Sequence, residues 1–148
     1  MTRIDLPPVW TALGLAAAWV LSRIEPEWFG FGDWHAVPGW GAVAAGLGLM
    51  IWAVIAMLGA RTQVMPRRDA AALVTQGPFR FSRNPIYLGD LLLLAGGAAL
   101  FDAPSALLLV PVLAAILQRR FILGEEAMLR ARFGADFERW SNRVRRWI

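Results

Sequence analysis

The chain has 148 residues, 57% of them hydrophobic and 18% charged, where an ordinary soluble domain carries about 25% charged. One soluble core of this size cannot bury that much apolar surface, and eight tryptophans against one tyrosine suit a membrane–water interface. The absence of Cys and the single His exclude disulfides, thiolate chemistry and a His-based metal site, while the net charge of +4 sits in arginine clusters that interrupt hydrophobic stretches, with no soluble module of the kind that binds nucleic acid.

In chain order, Pro8 to Leu21 reads as a first span, followed by Ser22-Arg23 and Trp28-Phe29 at an interface. It lacks the basic start and cleavage site of a signal peptide, so it is expected to stay as an anchor. The link that follows carries Arg23 against Glu25, Glu27 and Asp33, and His35 is expected to be a solvated loop residue. A second span runs from Pro38 to Ala60 without a charge. At about 1.5 Å rise per residue it crosses a hydrocarbon core of about 30 Å. Its Gly41, Ala45, Gly46 and Gly48 permit close helix approach, either inside the bundle or in a homodimer.

The 61–85 connection holds Arg61, Arg67, Arg68, Arg80 and Arg83 against Asp69 alone. A second apolar block, 86–118, is broken at Phe101-Asp102-Ala103-Pro104, where Asp102 and Pro104 predict a new helix start and hence an antiparallel hairpin. Pro111 is placed to kink the second arm, and Arg119 and Arg120 can snorkel beyond it. From residue 119 onward eight Arg stand against four acids. Phe121, Leu129, Phe133, Phe137, Trp140, Val144 and Trp147 among those arginines suggest a helix lying on the bilayer surface.

The fold expected is therefore all-α: a polytopic membrane protein with about four transmembrane helices and a cytosolic amphipathic C-terminal helical segment. It forms one domain over 1–148, with the first two spans in 1–60. The positive-inside bias puts the 61–85 loop, the tail and the N-terminus in the cytoplasm, in what is read as a bacterial inner (plasma) membrane.

Chemistry-bearing residues gather in two segments. Leu73 to Asp90 is dense in Gly, Pro and Arg and places Arg83, Asn84, Tyr87 and Asp90 around a helix start, with Tyr87 and Asp90 three apart on one face. Glu125-Glu126 follows the last apolar helix, where paired carboxylates are awkward unless solvated or matched. Taken alone, the second segment reads better as a surface helix with an i, i+4 pair of Glu126 and Arg130.

Together the segments resemble the isoprenylcysteine carboxyl methyltransferase and phospholipid methyltransferase family of membrane enzymes. The pattern G-x-[FY]-R…R-[HN]-P-x-Y-x-G falls on Gly77–Arg80 and Arg83–Gly89; E-E-x-x-L…F-G-x-x-[FY] falls on Glu125–Leu129 and Phe133–Phe137. The likeness covers roughly residues 73–148. It implies an S-adenosyl-L-methionine pocket on the cytosolic side, formed by Gly77, Phe79, Arg80, Arg83, Asn84, Pro85, Tyr87, Leu88, Glu125 and Glu126, with Arg120, Glu126 and Asp90 as catalytic candidates. Asn84 stands where the eukaryotic enzymes carry His; Asn donates and accepts hydrogen bonds but is no base near neutral pH.

These residue types fit that cofactor. Glu125 or Glu126 can take its ammonium, Arg83 or Arg120 its carboxylate, and the faces of Tyr87 and Phe79 its adenine or sulfonium. No catalytic metal is needed. The expected partners are membrane lipids and an amphiphilic acceptor arriving sideways from the bilayer, since little chain is left to build a soluble substrate domain. The rivals are a NADPH-dependent reductase of the sterol reductase type and a four-helix multidrug transporter. The transporter would need a carboxylate in its first span, and residues 8–21 contain none.

Overall fold

The computed structural model describes residues 6–62 and 71–148, and every regular element among them is helical. Arg67, Arg68 and Asp69 of the charge argument lie outside the described residues. The α-helices are α1 (Pro7–Ile24), α2 (Ala36–Gly59), α3 (Pro85–Leu100), α4 (Leu109–Leu117), α5 (Leu123–Phe133) and α6 (Ala135–Ser141). Prolines in the first turns of α1 and α3 fit there because those backbone N–H groups need no intrahelical partner.

At the centre of the bundle lies α3, packed against α2, α1 and α4. The α2–α3 seam is made of glycine meeting glycine. A Cβ on Gly46 would stand 2.9 Å from the Gly89 carbonyl oxygen, and one on Gly96 would stand 2.8 Å from that of Gly39. Only residues without side chains let two backbones approach so closely. Gly41 and Gly48 are not on this seam; a Cβ on either would meet nothing within 4 Å. Seven-residue spacing from Gly39 through Gly46 to Ala53 marks the buried face of α2.

Among the described residues two helical runs are long and apolar enough to cross a bilayer, Ala36–Gly59 and Pro104–Phe133; α1, with Arg23 in its last turn, and the 16-residue α3 do not meet the same test. Opposite the seam, α2 leaves Val37, Ile51, Ile55 and Leu58 more than half exposed, an apolar face suited to lipid and costly in water.

Several expectations change. Asp102 does not cap a helix: it adopts φ +54°, a conformation Asp tolerates, and its carboxylate accepts the Phe31 N–H at 2.6 Å. His35 is half-buried rather than solvated, its Nδ1–H donating to the Ala99 carbonyl at 3.0 Å. Pro111 stands just after a 3₁₀ turn, Pro104–Leu108, gives way to α4, and a further irregularity follows as a π-helical turn at Gln118–Ile122. Helix continues through that turn into α5, so Glu125 and Glu126 sit on the same run as the hairpin's second arm.

The tail is not one surface helix. It breaks at Gly134 and folds back, so Phe137, Trp140 and Val144 are buried against the chain itself, and Phe121, ahead of the break, is buried in the bundle. Two cores result. One gathers Tyr87, Leu94, Leu117 and Phe121 between α1, α3 and α4, and the other packs Phe79, Phe137, Trp140 and Val144 against Ala53.

Candidate active site

Gly77 and Pro78 start the approach to the site. The Gly77 φ of +59° and the Trp52 indole, 3.2 Å from where a Cβ would stand, together require glycine. A short 3₁₀ turn, Gly77–Arg80, then buries Phe79, whose carbonyl accepts the Trp140 Nε1–H at 3.1 Å. Phe79 therefore belongs to the second core, whereas Tyr87 belongs to the first. Arg80 is exposed, Pro85 is buried in the first turn of α3, and Leu88 is half-buried.

The segment 82–84 is laced to the C-terminal residues. Arg83 N–H donates to the Arg145 carbonyl at 3.0 Å, and Asn84 Nδ2 donates to the Arg146 carbonyl at 3.0 Å. Asn84 N–H in turn donates to Ser82 Oγ at 3.1 Å, so its backbone is held locally while its side chain clips the C-terminal segment. Trp147 Nε1–H reaches Gln118 Oε1 at 3.2 Å in the π turn, tying the same segment to the end of α4.

This lacing sets the charge pattern. Glu126, 7% exposed, accepts the Arg146 guanidinium through two hydrogen bonds, Nε to Oε1 at 3.0 Å and Nη2 to Oε2 at 2.7 Å. Arg83 Nη1 lies 3.2 Å from the same Oε1. The forked guanidinium matches the carboxylate plane, and hydrogen bonding to Glu126 holds the Arg146 pKa above its usual value against the opposing effect of burial. Glu126 does not pair with Arg130, which reaches Glu138 instead. Arg83 Nε is buried with no hydrogen-bond partner among the described residues, a donor of the kind that binds an added anion.

One position earlier, Glu125 Oε1 accepts the Tyr87 hydroxyl at 2.7 Å, and the buried Tyr87 ring lies 6.3 Å from that of Phe121. Asp90, one turn deeper in α3 and 3% exposed, accepts the Thr11 hydroxyl of α1 at 2.8 Å. Next to Thr11, the Trp10 ring lies 4.8 Å from Arg120 Cζ. The structure thus brings Arg83, Asn84, Tyr87, Glu125 and Glu126 together across some forty residues. Asp90 and Arg120 lie on the side facing α1, and Phe79 and Arg80 lie apart. Among the described residues no three His, Cys, Asp or Glu side chains form a metal-holding group.

Sequence reasoning missed Arg146, Ser82 and Thr11. Arg146 is one of three arginines near the end of the chain, and nothing in their order distinguishes the one that turns inward. Thr11 is a single hydroxyl in an apolar stretch, which helices in lipid commonly carry.

The chemistry available is that of charge recognition beside an apolar bundle: carboxylates held in place by phenol and guanidinium, and one unsatisfied cationic donor. A search of curated proteins gives no match. A model of the family described as phospholipid methyltransferase does match residues 34–136, from the approach to α2 into α6 and so well over half of the chain, and the chain belongs to that family.

Proposed function

We propose that the protein is an S-adenosyl-L-methionine-dependent methyltransferase acting on an amphiphile dissolved in the membrane. Membership of a membrane methyltransferase family supplies the reaction class. The observation that carries the cofactor reading is the Tyr87–Glu125 and Arg83–Glu126–Arg146 cluster with its orphaned Arg83 Nε. These residues suit a zwitterionic amino-acid group: Arg83 offers a buried donor to a carboxylate, and Glu125, aimed by Tyr87, suits an ammonium. Glu126 is matched by two guanidiniums, so its role is to aim Arg83 and Arg146.

When bound, the cofactor supplies a methyl group activated on a sulfonium. The protein's own residues position and desolvate: Tyr87 and Phe121 wall the site with aromatic surface, and Thr11 fixes Asp90 facing the acceptor's reactive head. A polar acceptor drawn from water would be desolvated at a cost, whereas an amphiphile already in the bilayer brings only its head to the site. Calorimetry of detergent-solubilised protein tests the reading. S-Adenosylmethionine and S-adenosylhomocysteine are expected to bind and NADPH is not; binding of NADPH alone overturns it. Long-chain acceptors are expected to outpace short-chain, water-soluble ones with the same head, and equal turnover at matched aqueous concentration removes the lateral route.

The same reading has α1, α2, α3 and the α4–α5 run as four spans of a bacterial inner membrane, with both termini and the 61–85 connection cytoplasmic. Charge asymmetry supports it, with Arg80 and Arg83 on one side and Glu25 and Asp33 on the other. Because the chain has no Cys, single-Cys labelling is clean. Ala71→Cys is expected to label only from the cytoplasmic side and Trp34→Cys only from the outside; the reverse pattern inverts the topology.

A further inference from the structure

The run from α4 into the π turn carries a feature outside the Arg83–Tyr87–Glu125–Glu126 cluster. Pro111, Val112, Ala115, Ile116, Arg119 and Arg120 line an open groove of about 460 Å³, a size that holds a small ligand. The positions recur at helical spacing and so form one stripe, apolar for its first four members and doubly cationic at the end. Arg119 and Arg120 are exposed, as are Pro111, Val112 and Ala115.

The stripe lies on the run Pro104–Phe133, which is long and apolar enough to cross a bilayer. Its apolar part then faces acyl chains, while the guanidiniums reach from the helix end toward the headgroups. A groove greasy along its length and cationic at one end complements a molecule of opposite layout, a hydrocarbon chain ending in an anion. Guanidinium forks fit phosphate oxygens bidentately, and the Trp10 ring 4.8 Å from Arg120 Cζ steadies one of them beside the groove.

The geometry points to a resident anionic phospholipid taken from the surrounding bilayer, its phosphate on Arg119 and Arg120 and an acyl chain along Pro111 to Ile116. This lipid is a bound ligand and not the methyl acceptor. Its site rests on the membrane reading but not on the cofactor assignment.

Native mass spectrometry of the detergent-solubilised full chain tests it, with phosphatidylglycerol, phosphatidylcholine of the same chains, and glycerol 3-phosphate as the phosphate head alone. One phosphatidylglycerol is expected per chain, held about tenfold more tightly than phosphatidylcholine and not displaced by glycerol 3-phosphate. Arg119→Gln is expected to weaken retention about fivefold, the effect of one arginine near an anionic lipid. Ala115→Trp, which fills the groove and leaves both arginines, is expected to weaken it as well, with circular dichroism verifying that each variant keeps its helix. Calorimetric S-adenosylmethionine binding by Arg119→Gln is expected to match wild type, which separates this site from the cofactor cluster. Equal retention of the two lipids, displacement by the free phosphate head, unchanged retention in both variants, or a second copy of the chain in place of lipid overturns the proposal.

Discussion

The two ends of the helical bundle use charged side chains in opposite ways. At the end where α1 finishes and α2 begins, acids serve the backbone and loops. Asp102 accepts the Phe31 N–H, Glu25 accepts the Ser105 hydroxyl, and His35 donates to the Ala99 carbonyl. Each of these bonds pins a turn to a neighbouring helix. At the other end the charges face one another: two guanidiniums converge on Glu126, and a phenol aims Glu125. Each end keeps a buried polar atom without a partner among the described residues, Glu25 Oε2 at the first and Arg83 Nε at the second. Only the second belongs to a cation surrounded by groups that could bind a charged ligand. The comparison teaches that burial of charge alone does not distinguish the two ends; the pairing of charge with charge around an unsatisfied donor does.

Glu126→Ala should break that contrast most severely. It leaves Arg83 and Arg146 without their counter-charge, and losing one partner of a buried pair costs about 3–5 kcal/mol, the lower figure being apt because Arg146 is about a third exposed. Thermal unfolding in detergent should show the loss, and S-adenosylmethionine affinity should fall more than tenfold; Glu126→Gln should restore part of both.

Tyr87→Phe sharpens the comparison by sparing the core. The ring still packs on Phe121, but the hydroxyl that aims Glu125 is gone. A hydrogen bond to a charged group contributes about 1.5–3 kcal/mol, so calorimetry should show cofactor affinity down about tenfold, and unfolding should show a loss at the low end of that range because the ring packing is kept. Asp102→Ala at the far end should cost about 2 kcal/mol of stability, from the Phe31 bond and the φ of +54°, with cofactor affinity intact. A fall in affinity there would mean the two ends are coupled. The smallest effect expected is from Trp147→Phe, which removes one hydrogen bond to Gln118 and should cost about 1 kcal/mol in unfolding.

Much of this arrangement is legible in the residues, because local rules govern it. Uninterrupted apolarity marks α2, Pro85 marks the start of α3, and the spacing of Tyr87 and Asp90 puts both on one face of α3. Long-range pairing is what sequence leaves hidden. Glu126 meets Arg146 rather than Arg130 because the chain turns back at Gly134, and helical spacing alone favours the nearer arginine. Likewise Phe79 and Tyr87 are both aromatic and eight residues apart, yet the 3₁₀ turn sends one into each core. The Asp102 outcome has the same origin: a residue suited to capping a helix found a better partner in Phe31, 71 positions away.

The π turn at Gln118–Ile122 has a consequence for how this chain tolerates changes of length. In a regular helix each residue advances the screw by about 100°, so removing one residue within a turn rotates everything beyond it by that angle. Here the wide turn absorbs one extra position, and Glu125 and Glu126 lie just past it. A single deletion in 118–122 would relax the turn to ordinary helix and leave both carboxylates close to their present face, whereas a deletion in the regular helix before it, Leu109–Leu117, would carry them around the axis by about 100°, away from Tyr87 and Arg146. The α4–α5 run can therefore lose a residue at the π turn but not in the helix that leads into it.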